Sequence, residues 1–137
     1  MAREGIVDTS VFIHAQTQDH HSRECRRFLA ALERGEIDAR LEPIVLHELS
    51  YAIKHYRKQM SRDDIATYLL TVLGFKGILG DKDVLVDTTE RWRDTPGLAF
   101  VDAYLAALAA NRSCPVYTKN VDELRAQGTL VPSPLLS

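Results

Sequence analysis

Cysteine is scarce in this chain of 137 residues: only Cys25 and Cys114 occur, far apart and in no CxxC pair. That argues against a disulfide framework, a zinc knuckle or a redox motif, and it makes free, buried thiols in a reducing cytoplasm the default expectation. Charge of one sign is also missing. Seventeen Lys and Arg against nineteen Asp and Glu leave a net charge of -2, so the totals neither demand nor exclude a nucleic-acid partner. A nuclease that gathers carboxylates can be acidic overall and still carry local basic patches. No apolar run approaches a membrane span. Met1-Ala2-Arg3-Glu4 leads straight into the first predicted strand, so no signal peptide is expected. Internal repeats, low-complexity segments and linkers are absent too, and the length suits a single domain over 1–137.

What is present begins with Gly5-Ile6-Val7-Asp8-Thr9-Ser10-Val11-Phe12. Ile6-Val7 reads as the end of a buried strand, and Thr9 or Ser10 as the cap of a following helix. Asp8 then falls at a strand C-terminus, where open α/β sheets place ligands, although capping the helix would by itself explain an aspartate there. A polar link, Gln16 to His21, precedes a helix that starts at Ser22, carries Cys25, Phe28, Leu29 and Leu32, and stops at Gly35. Ile37 to Leu41 reads as a strand. Pro43 sits in the first turn of a helix reaching Lys58, with Val45, Leu49, Ala52, Ile53 and Tyr56 as its stripe and Glu48 beside that stripe. A carboxylate at such an edge needs a cation, a donor or a metal.

Ser61 and Asp64 form a capping box for a helix with Ile65, Tyr68, Leu69, Val72 and Leu73 on its stripe. That helix surface is the expected dimer contact. Ile78-Leu79 reads as a third strand. Asp81 caps a further helix through Trp92, with a strand through Val84-Leu85-Val86 as the alternative. Phe100 to Ala110 is an alanine-rich helix with Asp102 in its first turn and Leu105, Leu108 and Ala109 on one face. Val116-Tyr117 and Leu130-Val131 read as short strands around Thr118-Lys119-Asn120-Val121-Asp122-Glu123.

Alternating strand and helix signals imply an α/β domain with a mainly parallel sheet. In such a sheet Asp8, Glu48, Asp102 and the Thr118–Glu123 segment face one edge. Clustered carboxylates repel unless a cation sits among them, and oxygen ligands suit Mg²⁺ or Mn²⁺. Such ions activate water and neutralise charge on a phosphate, so the chemistry is metal-assisted phosphodiester hydrolysis.

The series Ile6-Val7-Asp8-Thr9-Ser10, Leu46-His47-Glu48-Leu49, Phe100-Val101-Asp102-Ala103-Tyr104-Leu105-Ala106 and Tyr117-Thr118-Lys119-Asn120 resembles a PIN domain, closest to the VapC-type toxins of toxin–antitoxin pairs. The resemblance covers nearly the whole chain. It implies a three-layer α/β/α fold and a Mg²⁺-dependent ribonuclease, usually a homodimer and often inhibited by a cognate antitoxin. It places Asp8 and Asp102 on the metal, with Glu48 assisting or orienting water. Many members carry aspartate where this chain has Asn120. The amide can coordinate or orient water but brings no charge, which bears on a second metal more than on activity. Asp122 or Glu123 could supply the carboxylate. Ser10 and Thr118 are candidates to orient the acids, or simply to satisfy cap and turn.

Rival readings fare less well. A haloacid-dehalogenase-like site wants a second aspartate where Ser10 stands, and a receiver-type site lacks its early acidic pair. The five histidines show neither HxH nor HxxxH spacing. A PIN-like scaffold that binds RNA or a protein without cutting is the non-enzymatic alternative.

Overall fold

The computed structural model describes residues 4–136. The expected run of Met1-Ala2-Arg3 into the first strand lies outside the described residues. The chain divides between Lys82 and Asp83 into two compact units.

In the first unit the order is β1 (Gly5–Ile6), α1 (Thr9–Gln16), α2 (Ser22–Arg34), β2 (Ala39–Arg40), α3 (Pro43–Tyr56), α4 (Arg62–Leu73) and β3 (Ile78–Leu79). The strands form one parallel sheet in the order β1-β2-β3, with Gly5 opposite Ala39 and Ala39 opposite Ile78. Each parallel step is made by a pair of helices, α1–α2 and then α3–α4, as parallel pairing requires a long crossover. The backbone continues the pairing past the strand ends, with Val7 N–H donating to Arg40 C=O at 3.0 Å and Leu41 N–H to Leu79 C=O at 2.9 Å.

Local chemistry sets the helix ends. Ser61 Oγ accepts the Asp64 N–H at 3.1 Å while Asp64 Oδ2 accepts the Ser61 N–H at 2.9 Å, the reciprocal box expected from the sequence. Gly35 ends α2 in the left-handed region, at φ 76°. The core of this unit is Phe12, Leu32, Leu41, Leu46, Leu49, Ile53, Leu69 and Ile78, all nearly inaccessible.

Three expectations change here. Ile6 is exposed and Val7, the residue after β1, is buried, because β1 is an edge strand of the three-stranded sheet and both its residues are exposed. Tyr56 is exposed as well, since the buried stripe of α3 runs through Leu46, Leu49, Ser50 and Ile53. The apolar residues of α4, Ile65, Ala66, Leu69, Val72 and Leu73, are buried within the unit, so that stripe is not a free surface for a second copy. Ile44 and Tyr51, two turns apart on α3, are exposed apolar residues like Tyr56.

The second unit holds α5 (Lys82–Asp94, whose first residue belongs to the preceding unit), α6 (Phe100–Arg112) and α7 (Val121–Ala126). Residues 84–86 are helical, not extended. Val84, Leu85, Thr88 and Trp92 are buried at helical spacing, and the Thr88 hydroxyl bonds the Val84 carbonyl at 2.7 Å. The buried residues of α6 are Phe100 at its start and then Ala103, Ala106, Ala107 and Ala109, with Leu105 and Leu108 only partly covered. Ala106 and Ala109 join Val116, Leu124 and Val131 in one cluster. The expected strands at 116–117 and 130–131 do not form. A backbone bond from Val116 N–H to Leu130 C=O, 3.0 Å, joins the two segments instead. Pro115 and Pro132 flank them and have no N–H to extend a ladder. Both cysteines are free, and Cys114 is exposed rather than buried. The class is therefore mixed α/β, with a three-stranded parallel sheet and seven helices among the described residues. None of these helices is long and apolar enough to cross a membrane.

Candidate active site

Asp8 follows the C-terminal end of β1 and is itself the N-cap of α1. Its Oδ2 accepts the Ser10 hydroxyl at 2.6 Å and the Ser10 N–H at 3.3 Å. The Ser10 hydroxyl bond is the main reason its carboxyl titrates below the usual range; the Ser10 N–H adds to this, and slight burial opposes it. Asp8 therefore stays ionised at neutral pH. The cap role and a ligand role are compatible, because the cap engages only one carboxylate oxygen.

Glu48 projects from the second turn of α3, the helix that follows β2. It is exposed, and it lines one open pocket of about 310 Å³ together with Asp8, Thr9, Ser10, His14, Thr17, Asp19 and Tyr56. Two of the expected acids thus share a pocket at the strand-end edge of the sheet. Thr9 lines it too, and its hydroxyl is buried with no hydrogen-bond partner among the described residues. An unmatched buried hydroxyl is costly to the fold.

In the second unit, Asp102 is half-buried in the first turn of α6, and Asn120 Nδ2 donates to its Oδ2 at 3.4 Å. Asn120 precedes α7 without capping it through its side chain. Thr118 Oγ1 accepts the Asn120 N–H at 3.0 Å, which is the turn-satisfying role. Asp122 and Glu123 lie exposed in the first turn of α7.

Among the described residues, no group of three or more His, Cys, Asp or Glu side chains gathers closely enough to hold a metal ion. The donor chemistry is nevertheless that of a hard divalent cation. Asp8 and Glu48 offer carboxylate oxygens to one pocket, and Asp102 carries an amide neighbour.

The family model for the PIN domain matches residues 5–128, which is most of the chain. The chain belongs to the PIN-domain family. No curated protein and no solved structure matches it. PIN domains are nucleases as a class, acting on RNA or DNA and usually using divalent metal ions, so membership supports a hydrolase of phosphodiester bonds at that level.

The sequence reading did not single out four lining residues of this PIN domain: Ile13, His14, Thr17 and Asp19. One signal was available. His14 stands four residues after Ser10, one helical turn along the same face of α1.

Proposed function

We propose that this PIN domain, taken as one domain over 1–137, is a Mg²⁺-dependent ribonuclease that hydrolyses RNA phosphodiester bonds. In this reading Mn²⁺ can replace Mg²⁺, and the protein is the cytoplasmic toxin of a VapBC-type toxin–antitoxin pair. The observation that carries it is the pocket that Asp8 and Glu48 share. Asp8, Glu48 and Asp102 are the residues assigned to the ion, and Asn120 stands at the fourth position as an uncharged partner of Asp102. The ion, when bound, supplies an activated water and neutralises charge that builds on the phosphate. The chain's own part is to keep Asp8 ionised through Ser10 and to hold Asp102 through the Asn120 amide.

The test is cleavage of a mixed-sequence RNA pool with Mg²⁺, Mn²⁺ or EDTA. Cutting with either ion and none in EDTA is expected. Absence of cutting together with absence of Mn²⁺ binding would replace this reading by a scaffold that binds RNA or a protein partner.

A homodimer and a cognate antitoxin belong to the same proposal. With α4 buried, the face offered to a second copy is Ile44 and Tyr51 on α3. Native mass measurement reads both partners: the mass of two chains for the dimer, and an added smaller chain for the antitoxin complex. A single-chain mass at micromolar concentration would remove the dimer.

A further inference from the structure

The loop between α1 and α2 is built around one carboxylate. Asp19 Oδ2 accepts His14 Nδ1–H at 2.8 Å and the Thr17 hydroxyl at 2.8 Å. Its Oδ1 accepts the His21 N–H at 2.8 Å and the Ser22 hydroxyl at 3.3 Å. These donors, the His14 ring first, hold the Asp19 carboxyl far below the usual carboxylate range. Asp19 is therefore ionised and acts only as an acceptor, so the proton on the His14 ring sits on Nδ1. In the neutral ring Nε2 then carries the lone pair, and it has no partner among the described residues. His14 lines the pocket that holds Asp8 and Glu48. An imidazole whose Nδ1–H is fixed by a buttressed carboxylate is the arrangement by which a histidine accepts a proton at Nε2 and is stabilised as its cation.

We infer that His14, oriented by Asp19, is the general base that takes a proton from the water attacking the RNA phosphodiester. The inference rests on the ribonuclease reading above. The water oxygen bonds to phosphorus and its proton passes to Nε2. The bond from phosphorus to the leaving sugar oxygen breaks, and that oxygen takes a proton from solvent. No electrons change hands. His14 is a catalytic residue in this scheme and Asp19 a positioning residue.

The charged and titratable groups around His14 are Asp8, Asp19, Glu48 and Tyr56 in the pocket, and the His21 ring, edge-on at 4.9 Å between centroids. The Arg26 guanidinium bonds the carbonyls of Ala15 and Thr17, and His20 lies against His21.

His14→Asn is the decisive variant, because the Asn amide keeps a donor for Asp19 while removing Nε2. Its turnover of mixed-sequence RNA with Mg²⁺ is expected to fall about 100-fold, the low end for a general base. RNA binding in EDTA should be unchanged, and the fall of activity toward acid pH expected of wild type should be lost. Nitrogen NMR of the metal-free protein should show His14 protonated on Nδ1 and not on Nε2. Asp19→Asn, whose amide can donate or accept, should mix the two tautomers. Wild-type turnover and pH profile in His14→Asn, or a proton on Nε2, would overturn the inference. Asp8→Asn is assayed alongside. If it is inactive and His14→Asn cuts normally, only the role of His14 falls. If Asp8→Asn cuts normally or wild type does not cut, the ribonuclease reading falls and takes this inference with it.

Discussion

Replacing Asp8 by asparagine is expected to cut RNA hydrolysis by about a thousandfold, since losing a metal carboxylate removes several kcal/mol of charge stabilisation. The same change should leave the fold in place. Asp8 caps α1 through an oxygen that accepts the Ser10 N–H, and asparagine offers an equivalent oxygen and is an equally good cap residue. What is lost is charge. Ser10 holds Asp8 ionised well below neutral pH, so the substitution changes the pocket across the whole working range. Initial rates with Mg²⁺, read beside a thermal melt, separate the two effects. A rate close to wild type would sink the assignment of Asp8, whatever the melt shows.

The second large effect is on stability. Gly77 stands just before β3, buried, with its N–H donating to Leu32 C=O at 2.8 Å and its C=O accepting from Ala39 N–H at 2.9 Å. A Cβ there would collide with the carbonyl oxygen of Ile37 and lie 2.9 Å from that of Leu32. Both obstacles are backbone, so no side chain can turn aside to make room. Relief requires moving β3 away from β2, which breaks the ladder that Ala39 N–H helps to make. Gly77→Ala is therefore expected to cost about 3 kcal/mol or more, as overpacking of a rigid site does. In a chain of this length that lowers the melting midpoint by about 10 °C. Gly5→Ala is the control, since an added Cβ at Gly5 meets nothing within 4 Å. An unchanged midpoint in Gly77→Ala would mean that the approach of residues 32–39 to β3 is looser than described.

The parts of this fold that were legible in the sequence are those written by neighbouring residues. The Ser61–Asp64 box, the Gly35 stop and Pro43 in a first turn all act within one helical turn, and each is where local chemistry puts it. The strands were harder, because two residues cannot display a period of two; Ile78-Leu79 was found from its flanking glycines, whereas the burial of Ile6 was misjudged. Residues 116–131 mimic strands in composition, but prolines beside both segments forbid a ladder. The covered face of α6 is alanine, and a search for large apolar residues points instead to Leu105 and Leu108. At the candidate site, Asp8 and Glu48 were readable because each follows a strand. The role of Asp19 was not readable, because it arises from four donors converging in a loop, an arrangement that has no sequence period.

The pocket has a further property in its lining. Asp8, Thr9, Ser10, Ile13, His14, Thr17 and Asp19 come from a single short stretch, and only Glu48 and Tyr56 are recruited from α3. Closing so short a loop costs little chain entropy, and contacts of low sequence separation form early. Most of the pocket wall can thus assemble on the timescale of a helix and a turn, ahead of the slower parallel pairing of β2 with β3. Its shape is then inherited by the maturing fold, and a substitution that delays sheet formation need not deform it.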